Sequence, residues 1–130
     1  RFNDIVLHKH LPPLSGRVKI EDYATKIASK ATRFEAWSGG TLVGLVAAYC
    51  NDREKRIAYI TSVSVLREWT GKGIATDLMN RCTEYARASA MRQISLEVAS
   101  DNSPAIKLYE ESGFVVDGTS APFVRMKLNL

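Results

Sequence analysis

In the stretch WTGKGIATDLM, Trp69 to Met79, two glycines and a lysine stand directly ahead of a run with helical spacing. A strand-like run precedes them, so Gly71, Lys72 and Gly73 fall at a strand-to-helix junction. Free backbone N–H groups point from such a loop and from the first helical turn. Together with the positive end of the helix dipole they form a natural phosphate site, and glycine lets an anion come close because no Cβ intervenes. The same glycines serve equally well in a plain turn. Lys72 adds charge to a phosphate site in the first case and is only a solvated side chain in the second. Two familiar phosphate motifs are excluded. A Walker A loop, GxxxxGK[ST], fails because position 66 is Leu66 and position 73 is Gly73. The dinucleotide fingerprint GxGxxG needs a third glycine where Thr76 stands and an all-parallel beginning.

Glu97 is the second residue whose placement suggests chemistry. In QISLEVA the apolar Ile94, Leu96 and Val98 alternate toward a core and Glu97 projects to the other face. A carboxylate in the middle of an inner strand is costly unless it meets a wet cleft or a partner. Glu97 therefore either faces such a cleft or sits on an open face or in a salt bridge. Tyr109, among apolar neighbours on a short helical run, reads on its own as an aromatic packing residue. Asn102, at the entry to that run, suits a turn cap. His8 and His10 are the only histidines and lie near the N-terminus, and Cys50 and Cys82 have no motif spacing. Neither a metal-ligand set nor a Ser–His–Asp arrangement can be assembled from them.

These residues need elements to position them. Apolar positions from Ile20 to Ala31 recur at helical spacing, behind a loop at LPPLSG, Leu11 to Gly16. Phe2 to His8 suits the tail of an earlier helix. RFEAW and LVGLVAAYC read as strands joined by a tight hairpin at Ser38-Gly39-Gly40. In IAYITSVSVL the residues Ile57, Tyr59, Thr61, Val63 and Val65 alternate with mostly smaller ones, which predicts a third strand and an antiparallel meander. Ile74, Leu78, Cys82 and Tyr85, with Ala75, Met79 and Ala86 beside them, form one stripe of a helix to about Ala90. QISLEVA follows as a strand. SPAIKLYEESG is a short helix with Ser103 as N-cap, Pro104 in the first turn and Gly113 as the stop. FVVDG and FVRMKLNL close the chain as strands. A strand–helix–strand crossover after the meander demands at least one parallel pair.

Bulk properties bound the function. At 130 residues, with 45% apolar and 25% charged residues, the chain suits one globular domain with its own core. Its apolar runs are too short and interrupted to span a bilayer. Arg1 to His10 carries no apolar run of the secretory type, and the two cysteines read as small buried hydrophobes, so a cytoplasmic protein is expected. The net charge of +4 suits an anionic small ligand. No basic face alternates with stacking aromatics, which argues against nucleic-acid binding.

VSVLREWTGKGIATDLM resembles the acetyl-CoA signature of the GNAT superfamily of N-acetyltransferases, Arg/Gln-x-x-Gly-x-Gly/Ala. Thr70, Gly73 and Ala75 fall on its three defined positions, with Thr70 in place of the usual Arg or Gln. LEVASDNSPAIKLYEESGF is similar to the family's later strand and helix, supplying Asn102, Ala105, Tyr109 and Gly113-Phe114 in the usual order and spacing.

The resemblance implies a mixed α+β fold: a mostly antiparallel sheet with a splayed parallel strand pair, flanked by helices. It implies a single acetyltransferase domain over 1–130 lacking the usual first strand, which would lie upstream of Arg1. Acetyl-CoA, as cosubstrate, would enter the splay, with main-chain groups of Val63 and Val65 on its pantetheine arm. Thr70, Gly71, Lys72, Gly73, Ile74 and Ala75 would hold the pyrophosphate, Asn102 would hydrogen-bond the cofactor, and no metal is implied. The implied reaction is direct attack by a primary amine in a ternary complex. Glu97 would relay the amine proton, as in GNAT enzymes that acetylate protein N-termini, and Tyr109, also lining the cofactor site, would protonate the leaving thiolate. The acceptor would be a small-molecule or peptide amine, bordered by HLPPLSGR and TSAPF. Neither nucleic acid nor membrane is expected as a partner, and a homodimer is an open assembly. Thr70 keeps a rival in view, a non-catalytic CoA-binding or regulatory module.

Overall fold

The computed structural model describes residues 5–6 and 31–130. Among these are strands β1 (Ile5–Val6), β2 (Thr32–Ser38), β3 (Thr41–Tyr49) and β4 (Ile57–Leu66), then helix α1 (Ile74–Ala88). Strand β5 (Gln93–Ala99), helix α2 (Ser103–Glu111) and strands β6 (Val115–Ser120) and β7 (Phe123–Asn129) complete them. The sheet runs β2-β3-β4-β5-β7-β6, with β1 paired to β4. Every pairing is antiparallel except β4 with β5. The mixed, mostly antiparallel α+β fold is thus present. The loop at Leu11 to Gly16 and the helix expected over Ile20 to Ala31 lie outside the described residues, except for Ala31, which is a bend ahead of β2.

Local chemistry accounts for most elements. Gly39 and Gly40 close the β2–β3 hairpin at φ 53 and 80, the double left-handed geometry that a two-residue turn requires. Leu78, Met79, Cys82 and Ala86 form the buried face of α1. Tyr85, assigned to the same stripe, is partly exposed and meets Phe34 edge-on at 5.7 Å. Cys50 and Cys82 are free thiols. Burial, and to a lesser extent Cys50, pushes the Cys82 thiol up to about 12, so it behaves as a small hydrophobe.

Three expectations are corrected. Within Phe2 to His8, expected as a helix tail, Ile5 and Val6 form a strand paired with Leu66 and Val65; β-branched residues suit that extended pairing. The cap of α2 is Asn102, whose Oδ1 accepts the N–H of Ala105 at 3.3 Å, and Ser103 is already the first helical residue. The third correction concerns the phase of β4. Ala48 pairs with Ile60 but Ala47 pairs with Ser62, so Thr61 is an extra residue, and its hydroxyl donates to Ala47 O at 3.3 Å. A bulge reverses the side-chain alternation. Ala58 and Ile60 before it, and Val63 after it, therefore share the core that α1 and α2 cover. Tyr59, Ser62 and Ser64 face the other way, as their partners Tyr49, Ala47 and Leu45 do.

The bulge also explains the parting of β4 from β5. These strands pair at Ile57–Gln93, Ala58–Ile94 and Tyr59–Ser95 and no further. A bulge bends its strand and adds twist, and this one lies two residues beyond the last pair. β4 then runs on beside β3 while β5 follows β7, leaving a fork open toward their C-terminal ends.

Gly44 seats α1 beside that fork. A Cβ there would lie 2.7 Å from Ile74 Cγ2 and 3.1 Å from Leu78 Cδ1. The Ile74 methyl is held by a stiff β-branched rotamer, so Gly44→Ala must push the helix start outward. Overpacking of this kind costs about 1–3 kcal/mol, and we expect the loss as a lowered urea midpoint at unchanged slope. A variant as stable as the parent would show that the helix start yields freely.

Candidate active site

Past β4 the chain makes a 3₁₀ turn, Arg67–Trp69, and then the loop that leads into α1. Gly71 and Gly73 have φ of 75 and 80, and no atom lies within 4 Å of a Cβ built on either. Packing does not require glycine at these positions; the left-handed backbone does. Gly73 is the N-cap of α1 and offers no side-chain cap. Its carbonyl takes the first helical bond, from Asp77 N at 3.0 Å. The N–H groups of the first turn have no intrahelical acceptor and border open space. The loop is a turn and an uncapped helix start at once, which is what an anion site needs.

That helix start forms one wall of a cleft of about 260 Å³, near the lower end of small-molecule sites, ~300 Å³. Val63, Val65, Thr70, Gly71, Gly73, Ile74 and Ala75 line it on this side, and Asn102 and Tyr109 on the side of α2. Nine of the ten positions assigned to the cofactor therefore border one cavity. Lys72 does not; it is exposed on the turn. Thr70 has a local role as well, because its hydroxyl donates to Arg67 O at 2.8 Å and closes the 3₁₀ turn. Asn102 likewise caps α2 while bordering the cleft.

Four further lining residues, Trp69, Thr76, Pro104 and Leu108, were given no site role in the sequence. Pro104, Ala105, Leu108 and Tyr109 share one face of α2 at i, i+1, i+4, i+5, a signal legible once Tyr109 is placed in a site. Trp69 carries no comparable signal.

Tyr109 is 1% exposed, with its ring tilted against Phe114 at 6.0 Å. Burial raises its hydroxyl well above the ordinary tyrosine range, so it keeps its proton throughout neutral pH. The packing and site descriptions of this side chain hold together.

Glu97 lies on the opposite face of the sheet. Ile94, Leu96 and Val98 are fully buried toward the helices, while Glu97 is half-buried and accepts a hydrogen bond from Tyr59 Oη at 3.2 Å. It does not line the cleft. Tyr109 and Glu97 thus stand on opposite sides of the sheet, near the stretch where β4 and β5 are no longer paired. A second hollow, about 590 Å³, lies at the far end of α1 around Arg53, Arg56 and Ser89. It contains none of the motif residues; although larger, it has less claim to be the site. Among the described residues no group of His, Cys, Asp and Glu is placed to hold a metal, and no helix is long and apolar enough to cross a membrane.

The site is thus a forked β4–β5 pair with a glycine-rich, uncapped helix start at its mouth. The model of the acetyltransferase (GNAT) family matches residues 5–114, and the chain belongs to that family. An uncharacterized N-acetyltransferase of Methanocaldococcus jannaschii is 39% identical over 79 residues, which is 58% of this chain and 35% of that protein. The chain therefore matches only about a third of that relative's length. Among solved structures, the Pyrococcus horikoshii protein PH1933 superposes with a TM-score of 0.81 at 27% identity, over 91% of this chain and 78% of that one. The Thermoplasma acidophilum PaiA N-acetyltransferase in complex with coenzyme A has a TM-score of 0.72 at 17% identity, over 90% and 81%; it bears on the fold alone.

Proposed function

We propose that this domain transfers the acetyl group of acetyl-CoA to a primary amine by direct attack within a ternary complex. The observation that carries the reading is the fork. It lies between a cleft bordered by an uncapped helix start and Tyr109 and the face that bears Glu97. The residues present suit the cosubstrate. Open space before the first-turn amides suits a pyrophosphate, and Val63, Val65, Ala105 and Leu108 supply apolar walls for an extended arm. When bound, acetyl-CoA supplies an activated acyl carbon and a thiolate leaving group.

An alkylamine has a pKa of about 10.4 and is protonated at neutral pH, so removing its proton is the first task. Glu97, facing the side away from the cofactor, takes that proton, directly or through one water. As the amine nitrogen bonds to the acyl carbon and the C–S bond breaks, Tyr109 donates to the sulfur. One N–C bond forms and one C–S bond breaks. Nitrogen loses two protons, one to Glu97 before attack and one as the adduct collapses; one ends on sulfur with Tyr109 reprotonated, and the other passes from Glu97 to solvent. The acceptor is a small-molecule or peptide amine. Of the two loops expected to border it, His10 to Arg17 lies outside the described residues, and Thr119 to Phe123 joins β6 to β7.

A thermal-shift screen with acetyl-CoA, CoA, NAD and ATP tests the reading. A ligand that binds only the folded state stabilises it by about 2.7 kcal/mol at 100 times its Kd. We expect acetyl-CoA and CoA to raise the unfolding midpoint while NAD and ATP leave it in place. Stabilisation by NAD alone would overturn the cosubstrate. Turnover of a generic primary amine separates an enzyme from the non-catalytic binding module that Thr70, with its hydroxyl held by Arg67 O, keeps in view.

A further inference from the structure

We infer that Tyr59 is a positioning residue for Glu97, holding that carboxylate at the fork of the sheet. The inference rests on the reading of Glu97 as the group that takes the amine proton. Tyr59 and Ser95 are the last paired residues of β4 and β5. Glu97 is the next residue of β5 on the same face, the first to lie beyond the fork. The Tyr59 side chain reaches one pleat forward, across the opening, and donates to Glu97 Oε1 at 3.2 Å. On its other edge β5 remains paired to β7, with Glu97 opposite Arg125. On the edge toward β4 the ladder has ended, so this hydrogen bond replaces main-chain pairing where the strands part.

The bulge at Thr61 makes the arrangement possible. It turns β4 away immediately after Tyr59, and it places Tyr59 and Val63 on opposite faces. One strand thereby lines the cleft with Val63 and Val65 and braces Glu97 with Tyr59. Without the bulge, Tyr59 and Val63 would share a face, and the brace and the cleft wall could not lie on opposite sides of the sheet.

A hydroxyl donating to a carboxylate favours the ionised form and fixes its rotamer. At 3.2 Å the bond is longer than the 2.5–2.7 Å typical of strong O–H···O⁻ pairs, so its main contribution is orientation. Among the described residues, the charged and titratable groups on this face near Glu97 are Tyr59 on β4, Tyr49 on β3, and Arg125 and Lys127 on β7. Arg125 and Lys127 reach the other way, to Asp117 on β6, at 3.5 and 3.4 Å. The Tyr59 hydroxyl is a contact of the Glu97 carboxylate that spans the fork.

The test is a four-member cycle of parent, Tyr59→Phe, Glu97→Gln and the double variant, measured as kcat and KM against pH with acetyl-CoA and a primary amine. Glu97→Gln is expected to slow turnover. Tyr59→Phe is expected to lower kcat about 3- to 10-fold, to raise the acid limb of the pH profile by roughly half to one unit, and to leave KM for acetyl-CoA unchanged, as loss of one such bond implies. Because Tyr59 acts through Glu97, adding Tyr59→Phe to Glu97→Gln should produce no further loss. A merely structural tyrosine would slow both backgrounds alike and leave the acid limb in place; either result overturns the inference while leaving Glu97 in its role. Parent-like turnover in Glu97→Gln would overturn the base assignment and this inference with it. Circular dichroism and unfolding midpoints matching the parent show that each variant is folded. If Tyr59→Phe fails that comparison, Tyr59→His, which keeps a ring and a donor, takes its place in the cycle and is expected to retain the parent's acid limb; a limb shifted as far as in Glu97→Gln overturns the inference.

Discussion

Tyr109→Phe is expected to lower kcat by about 10²-fold or more while leaving acetyl-CoA affinity nearly unchanged, because positioned acids and bases contribute ~10²–10⁴. The substitution removes one oxygen from a ring that is 1% exposed and packed on Phe114, and phenylalanine preserves both the packing and the cleft wall. The pH dependence follows from the direction of the shift. Burial raises the Tyr109 hydroxyl above its ordinary value of 10.0, so it remains protonated below pH 10. The basic limb of the parent's profile should therefore not report Tyr109 in that range, and the loss in the variant should be uniform between about pH 6 and 9. Full transfer to a thiolate whose conjugate acid has a pKa of about 8.5 is uphill from such a group. Tyr109 then acts as a donor that strengthens as charge grows on sulfur, which makes its contribution largest in the transition state. Single-turnover measurements across this range check the expectation. If the variant turns over like the parent, Tyr109 is a packing residue and water protonates the thiolate.

Gly73→Val is expected to weaken CoA binding by about 10- to 100-fold, roughly the 1.4–2.7 kcal/mol of a badly obstructed anion contact. The protein itself leaves room for the side chain, since nothing lies within 4 Å of a Cβ at this position. That space adjoins the unsatisfied amides of the first turn, so the valine methyls would stand where a phosphate must approach. A second effect comes from the backbone. At φ 80, a β-branched residue is strained by about 1–3 kcal/mol, and relief of that strain would redirect the amides. Calorimetric titration with CoA, beside the ligand-free unfolding midpoint, separates the two effects: strain lowers the midpoint, obstruction lowers affinity alone. A folded variant that binds CoA like the parent would reduce Gly73 to a turn residue.

Much of this molecule is determined locally. The bounds of β4 and β5 are those of IAYITSVSVL and QISLEVA, because apolar alternation and flanking polar runs act over a few residues. The β2–β3 turn at Gly39-Gly40, the start of α1 after Gly73 and its buried stripe were legible for the same reason: left-handed backbone needs glycine and helical faces recur at 3.6 residues. The motif positions around Thr70 to Ala75 and Asn102 to Tyr109 were likewise readable, since their spacing along the chain is what a loop and a short helix require.

Tertiary structure decided the rest. The alternation in IAYITSVSVL placed Tyr59, Thr61 and Val63 on one face, and only pairing with β3 inserts the bulge that puts Tyr59 and Val63 on opposite sides. Where β4 leaves β5 depends on that bulge and on β7 holding β5, contacts between segments distant in sequence. The bond from Tyr59 to Glu97 joins residues 38 apart. Lys72 and Thr70 sat inside a legible motif, yet the turn leaves Lys72 exposed and the 3₁₀ carbonyl of Arg67 takes the Thr70 hydroxyl. Sequence spacing specifies which backbone groups a loop offers; which side chains reach the same point is set by register, because a one-residue offset moves a strand's side chains to the other face of the sheet.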